Sequence, residues 1–330
     1  MATQPFRWGI LGPGAIAHNF VQSLAFLPGA SVTAVGSRDK ARADTFADKY
    51  DIAHRHGSYE ELAANPDVDA IYVATPHPLH AEHSILALRG GKHVLCEKPV
   101  TVNVPQLESI LAVQRETGKF FLEAHWTRFL PAIRKADELV QAGAIGEVRM
   151  VQADFGFRTN VNPEGRLFNP ALGGGALLDV GCYTVSFAQM LLGDPDSVVS
   201  QATLGETGVD EQATLALHYP SGALASLSTA IRTNTSYTSY VWGTTGRITI
   251  PSCWGAKSLT LTANGKDETF DLPYEGGGKQ FQAEALMQGV ANGETESPVL
   301  THAASLSIMR TMDTARSQWG LRYPFESEKP

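Results

Sequence analysis

Two short stretches of this chain carry proton-handling groups at spacings that chemistry can use. The first, "GKHVLCEKPV" (91–100), ends an apolar run in Glu97, Lys98 and Pro99. The second, "GGGALLDVGCY" (173–183), sets Asp179 and Tyr183 four residues apart behind three glycines, a spacing that shares one helix face. A lysine ammonium near a phenol makes the phenol more acidic. The phenolate can then take the proton of an alcohol while a hydride leaves the carbon. Lys98 and Tyr183 are therefore the expected acid/base pair, with Asp179 orienting it. Pro99 biases Lys98 toward extended backbone and so fixes where its side chain departs. On an open surface Glu97 and Lys98 would be only an ion pair at a strand end; in a cleft they are chemistry.

The surrounding elements decide which. "RWGIL" (7–11), "SVTAVGS" (31–37), "AIYVATP" (70–76), "HVLCEKP" (93–99) and "KFFLEAHW" (119–126) read as strands. Amphipathic stretches to Leu27, over 39–50, over 81–89 and from Asn103 to Thr117 alternate with them. Apolar strands alternating with helices imply a parallel sheet covered on both faces. Glu97 and Lys98 then sit at a carboxyl strand end, where such sheets bind ligands.

After Leu122 the texture changes. "VRMVQADFGF", "ATLALHYPSGALASLSTAI", "VWGTTGRITI" and "SLTLTANGKDETFDL" alternate polar and apolar residues around turn signals. They predict a large, mostly antiparallel open sheet, with helices at 173–192, 279–291 and 302–319. The expected organisation is α/β over 1–122, a dinucleotide-binding Rossmann domain, and α+β over 123–330, a substrate and dimerisation domain. The last helix is expected to pack back on the first domain. One sheet face has no helices to cover it. Tyr237, Tyr240, Trp242 and Trp254 nearby favour a second copy of the chain there, hence a homodimer.

The first turn carries its own signal. Gly12-Pro13-Gly14 and Ala17 form a G-x-G-x-x-A pattern between a strand and a helix. Gly12 permits the tight turn, Gly14 lets backbone approach a pyrophosphate, and Ala17 lets the helix lie close to the sheet. The N-terminal helical residues, Ala15 and Ile16 among them, offer free N–H groups. A dinucleotide fold selecting NAD has an acid after the second strand, but here Ser37 and Arg38 stand there and Asp39 only follows. A hydroxyl and a guanidinium suit a 2′-phosphate, so NADP(H) is expected over NAD(H). The plainer reading is a helix-capping serine and a solvated arginine. Thr75, His77 and His80, after the third strand, are expected along the nicotinamide pocket with Glu97 and Lys98. His83 is expected to be structural.

Composition narrows the classes. The 330 residues are 43% hydrophobic and 18% charged with net charge −8, which argues against nucleic acid or an anionic membrane as the main partner. Cys96, Cys182 and Cys253 have no metal-type spacing, so a reducing cytoplasm is the expected setting. No signal peptide is visible, and no run approaches the roughly 18 apolar residues of a membrane span. His54, His56, His77, His80 and His83 raise a metal-hydrolase alternative. With His77 in a loop and no clean carboxylate partner, no metal is expected.

Taken together, "GPGAIA", "SRDKARADTFA", "PHPLHAEH", "GKHVLCEKP", "EAHWTRFLP", "GGGALLDVGCY" and "ETGVDEQATL" resemble the glucose–fructose oxidoreductase/inositol dehydrogenase (Gfo/Idh/MocA) family, on its dihydrodiol and D-xylose dehydrogenase side. The resemblance implies a two-domain, dimeric NADP(H) oxidoreductase acting on a sugar, cyclic polyol or trans-dihydrodiol. Lys98 matches the family's central lysine and Asp179 its helical acid, while Tyr183 stands where many members have histidine. His77 and His80 match positions around the nicotinamide. Trp126 and Arg128 match a segment bordering substrate, and Phe157 and Arg166 are weaker candidates. Reduction of a keto sugar such as 1,5-anhydrofructose and a non-catalytic NADP-sensing regulator remain as alternatives.

Overall fold

In a computed structural model of the chain, residues 5–326 are described. β1 (Phe6–Leu11), α1 (Ala15–Leu24), β2 (Ala30–Gly36), α2 (Lys40–Tyr50), β3 (His54–His56), α3 (Tyr59–Ala64), β4 (Ala70–Val73), α4 (His80–Arg89), β5 (His93–Glu97), α5 (Val104–Thr117) and β6 (Phe121–Ala124) alternate along the first third. Then follow α6 (Pro131–Gln141), β7 (Val148–Gly156), α7 (Cys182–Leu192), β8 (Ser197–Leu204), β9 (Asp210–His218) and β10 (Leu224–Ala230). The chain continues through β11 (Ser239–Gly243), β12 (Gly246–Ile250), β13 (Ser258–Ala263), β14 (Lys266–Asp271), α8 (Gln280–Ala291) and α9 (His302–Trp319).

Two compact units result. One takes in the chain through Thr101, Pro105–Trp126 and Glu275–His302; the other has Val102–Val104, Thr127–Tyr274 and the chain from Ala303. Hence α8 belongs to the first unit and nearly all of α9 to the second.

The first unit is a parallel six-stranded sheet in the order β3-β2-β1-β4-β5-β6, the doubly wound arrangement that the alternating pattern predicts. Its central strands are buried on both faces: every residue of β4 and all but the first of β5 are buried, and Trp8, Ile10 and Leu11 of β1 have no exposure. Burying each such side chain is worth roughly 1.5–3 kcal/mol. Ala17, fully buried, lets α1 lie against the sheet, and Phe20 two turns into the fold stacks on Tyr72 of β4 at 3.9 Å.

The second unit is an eight-stranded sheet in the order β14-β13-β12-β11-β7-β10-β9-β8. The hairpins read from sequence are present: "YPSG" joins β9 to β10, and Asn264 (φ 53°) and Gly265 (φ 72°) turn β13 into β14. The sheet is mixed rather than purely antiparallel, because β7 and β10 pair in parallel. The reason lies in the excursion after β7. Its helix returns the chain, so β8 sets out in the direction of β7, and two reversals later β10 runs the same way.

The segment 173–192 also differs from one continuous helix. Gly173 (φ 67°) ends a short turn of 3-10 helix and Gly175 takes φ 120°, after which Leu177–Gly181 form a π turn leading into α7. Such turns recur at functional sites. Pro170–Leu192 is also long and apolar enough, by length and composition, to cross a membrane. Most of it is buried inside the protein. A segment at the core of a domain is apolar all round, and polar residues such as Asp179, Thr184 and Gln189 still interrupt any unbroken apolar run here.

Candidate active site

The turn after β1 fits a dinucleotide phosphate. Gly12 has φ 90°, and a Cβ there would lie 3.0 Å from Thr75 Cγ2 and 3.3 Å from the Ala74 carbonyl; only glycine serves. Gly14 caps α1 without any side-chain hydrogen bond, and a Cβ on it would meet nothing nearer than the Ala74 oxygen at 3.9 Å. No acidic side chain stands in the first turn. Pro13, Gly14, Ala15 and Ile16 thus border an open helix N-terminus whose first N–H groups have no intrahelical acceptor, the arrangement that receives phosphate.

The end of β2 leaves its hydroxyl and guanidinium to one side. Ser37 is buried and its Oγ accepts the Asp39 N–H at 3.2 Å, while Arg38 is exposed. Asp39 is already engaged, accepting the Ala41 N–H at 3.0 Å as the cap of α2. The one nearby acid is therefore spent on its own helix.

After β4, the residues placed along the nicotinamide pocket have protein partners of their own. Thr75 receives His83 Nδ1 on its hydroxyl at 3.0 Å and His80 Nε2 on its carbonyl at 2.8 Å. His80 Nδ1 reaches the Pro99 carbonyl at 2.9 Å, and the ring is 1% exposed. Both ring nitrogens thus face carbonyls, which only a doubly protonated ring satisfies fully, while burial lowers the pKa and opposes that form. In this place His80 ties the loop after β4 to the loop after β5 rather than presenting a free nitrogen. His83 is buried against Thr75, and burial, then the Arg38 charge, brings its pKa down to about 4. His77 is half-buried, its ring edge-on to His80 at 5.7 Å.

Glu97 and Lys98 separate their tasks. The Glu97 carboxylate turns inward, where it accepts the Tyr72 hydroxyl and, at 3.3 Å, the Lys98 backbone N–H. Lys98 is half-buried at the strand end, joined to Pro99 by a cis peptide bond. Glu97 is thereby a fixed buried acceptor, and Lys98 follows it at the carboxyl edge, half-buried. Two strand spacings, about 10 Å, separate that edge position from the glycine turn of β1.

The second unit builds the other group of candidates. Tyr183, 8% exposed, stands in an aromatic corner with Phe155 at 5.4 Å and Trp254 at 5.8 Å, the latter two stacked on each other at 5.3 Å. Trp254, expected near the open sheet face, is thus turned inward, its Nε1–H donating to the Asp154 carbonyl. Asp179 is buried and holds the guanidinium of Arg166 at 2.8 Å. Phe157 packs on the Phe168, Ala176, Val180 and Ile231 cluster. Arg128, expected to border substrate, is buried; its Nε donates to Ser186 Oγ at 2.8 Å and its Nη2 to the Ser186 carbonyl at 2.6 Å. It braces α7, one turn beyond Tyr183.

Asp210, which sequence reading did not single out, anchors the start of that helix. It has no exposure, and its Oδ2 accepts the Leu177 N–H at 2.6 Å. Burial pushes its carboxyl up to about 7. The unfolded chain ionises it near the ordinary value of 3.8, so the unfolded state holds fewer protons than the folded one between pH 4 and 7. Stability from this group is full below pH 4 and falls as pH rises to 7, by about 4 kcal/mol in all. Asp210→Asn keeps an acceptor for Leu177 without the charge. Its urea midpoint relative to wild type is expected to climb steadily from pH 4 to pH 7, and two parallel pH profiles would contradict the assignment.

Comparison with known proteins agrees with both halves. Residues 6–125 match the "Oxidoreductase family, NAD-binding Rossmann fold" model and residues 133–249 the "GFO/IDH/MocA C-terminal domain" model. The trans-1,2-dihydrobenzene-1,2-diol dehydrogenase of Xenopus tropicalis is 38% identical, over 96% of this chain and 99% of its own length. Among solved structures, KijD10, a 3-ketoreductase from Actinomadura kijaniata in complex with NADP and TDP-benzene, superimposes with TM-score 0.85 at 30% identity, over 95% of this chain and 98% of its own. An aldose-aldose oxidoreductase from Caulobacter crescentus complexed with glycerol gives TM-score 0.88 at 26% identity, over 96% and 99%. With a Rossmann unit, a mixed-sheet unit and matches spanning both, the chain belongs to the Gfo/Idh/MocA family of oxidoreductases.

Proposed function

We propose that this protein is an NADP(H)-dependent oxidoreductase that interconverts CH–OH and C=O groups on a sugar, a cyclic polyol or a trans-dihydrodiol. One observation carries the reading: the uncapped α1 N-terminus and Lys98 lie on the same carboxyl edge of one parallel sheet. When bound, NADP(H) supplies or accepts the hydride; the chain's own side chains do the rest. The N–H groups of Ala15 and Ile16 and the Gly14 backbone hold the diphosphate, and Ser37 and Arg38 hold the 2′-phosphate. Lys98 Nζ and Tyr183 Oη move the alcohol proton. Asp179, fixed by Arg166, orients the substrate. Trp126 borders it.

The substrate class is supported by whole-length likeness to dihydrodiol dehydrogenases and by the likeness to an aldose-aldose oxidoreductase. Variants of KijD10 with a lysine or a tyrosine replaced have also been solved, the two residue types given the proton here. Its 3-ketoreductase activity favours a second reading, reduction of a keto sugar by the same residues. The test is a rate screen in both directions. NADP⁺ reduction is followed over aldoses, inositols and trans-dihydrodiols, and NADPH oxidation over keto sugars. NADPH binding without turnover of any of them would make the protein a sensor of the cofactor instead.

Cofactor choice has its own test. Changing Ser37 and Arg38 to Asp and Ile is expected to shift the NADP⁺/NAD⁺ ratio of kcat/KM toward NAD⁺ by about 100-fold. This is the scale of losing a bidentate guanidinium–phosphate contact. An unaltered ratio would contradict the phosphate clamp.

The uncovered sheet face supports a homodimer. Leu224 pairs with Met150 and Val199 with Ala216, and Leu224, Met150 and Val199 are 46%, 42% and 64% exposed. Tyr240 and Trp242, stacked at 5.1 Å, lie opposite Gln152 and Met150 in the same register. Among the described residues the three cysteines form no disulfide and are buried, in keeping with a reducing cytoplasm.

A further inference from the structure

Lys279 is a buried cation that the functional reading leaves unused. It follows Gly276, Gly277 and Gly278, whose backbone presses on α1. A Cβ on Gly276 would lie 2.6 Å from the Phe26 ring, and one on Gly277 would lie 2.6 Å from Ser23 Oγ. The Gln280 side-chain amide closes this loop by donating to the Glu275 carbonyl at 2.7 Å. Lys279 is therefore delivered from fixed backbone. It is 8% exposed, and its ammonium sits 4.2 Å from the centre of the Trp126 ring. Among the described residues it donates no hydrogen bond and has no carboxylate within ion-pair distance.

An ammonium in that state is costly. Burial lowers its pKa, Glu97 acts to raise it and Lys98 to lower it, which also places it within electrostatic range of the end of β5. Glu97 makes no ion pair with it, its oxygens accepting the Tyr72 hydroxyl and the Lys98 N–H. A cation–π contact offsets only part of the desolvation. What is missing is an anion. The cofactor's diphosphate belongs to the glycine turn of β1, two strands away from β5, so the anion comes from the substrate.

Resting on the oxidoreductase reading above, we infer that Lys279, held over Trp126, binds an ionised carboxylate or phosphate on the substrate, so that the preferred substrates are acidic sugars. Charge-assisted hydrogen bonds from a buried ammonium give about 10- to 100-fold discrimination.

The experiment compares D-glucose, D-glucuronate and D-glucose 6-phosphate in wild type, Lys279→Met and Lys279→Arg. Turnover is read as kcat/KM, and binding to the NADPH-loaded protein by calorimetric titration. In wild type one of the two anions is expected to bind more tightly than glucose; glucuronate alone marks a carboxylate site and glucose 6-phosphate alone a phosphate site. Lys279→Met is expected to reduce the anion-to-glucose ratio by 10- to 100-fold, and Lys279→Arg to retain most of it. An unchanged ratio with a lower melting temperature would mark Lys279 as a packing residue and overturn the inference, as would wild-type protein that binds neither anion better than glucose. Absence of turnover with all sugars, alongside Lys279-dependent anion binding, would instead count against the oxidoreductase reading alone.

Discussion

Replacing Lys98 by methionine is expected to lower kcat by about three orders of magnitude while NADPH still binds with an affinity close to that of wild type. Proton transfer by a placed side chain contributes about 10²- to 10⁴-fold, and loss of the ammonium removes both a proton carrier and the charge that favours an alkoxide or phenolate. The variant is expected to fold, because backbone and side-chain groups other than the ammonium hold this strand end. The backbone N–H of Lys98 is held by Glu97, the next carbonyl by His80, and β5 itself by β4 and β6 on either side. Methionine has a similar stem and no charge. Calorimetric NADPH titration together with steady-state rates on the best substrate checks the split. A kcat within tenfold of wild type would take Lys98 out of the chemistry, and loss of NADPH binding would recast it as a cofactor ligand.

What the sequence made legible here was local. The Gly12–Gly14 turn, the Asp39 cap and the Glu97-Lys98-Pro99 strand end each need only their own neighbours to be read, and the alternation of apolar strands with helices carries the order of the first sheet with it. What escaped depends on partners far along the chain. Nothing in "PHPLHAEH" tells that His80 meets the carbonyl of Pro99. Nothing in "WTRF" tells that Arg128 spends its donors on Ser186. Trp254 looks like an interface residue until Phe155 stacks on it, and Asp210 looks like a strand-end acid until Leu177 donates to it. The parallel pairing of β7 with β10 was hidden for the same reason, since direction depends on how many times the intervening chain reverses. Lys279 gave one faint signal, a lysine closing a run of three glycines at the head of an apolar helix.

A double-mutant cycle between Lys98 and Tyr183 is the severest expected result. Tyr183→Phe removes one oxygen from a ring whose packing against Phe155 and Trp254 persists, so the fold is expected to tolerate it. Its loss in kcat is expected to be about 10²- to 10³-fold, within the range of general acid–base catalysis. If the two groups share one proton, removing the second after the first has little left to take away, as in catalytic sets whose members act as a unit. The Lys98→Met/Tyr183→Phe enzyme is then expected to be no slower than about threefold below the worse single variant, where independent groups would multiply to about 10⁵-fold or more. Multiplying losses would mean that the ammonium and the phenol serve separate steps. A Tyr183→Phe enzyme at full rate would leave Lys98 as sole proton carrier. Either result is visible in steady-state rates on one substrate, provided each variant binds NADPH, and the cycle reads the partnership of the two groups without reference to which sugar is the natural one.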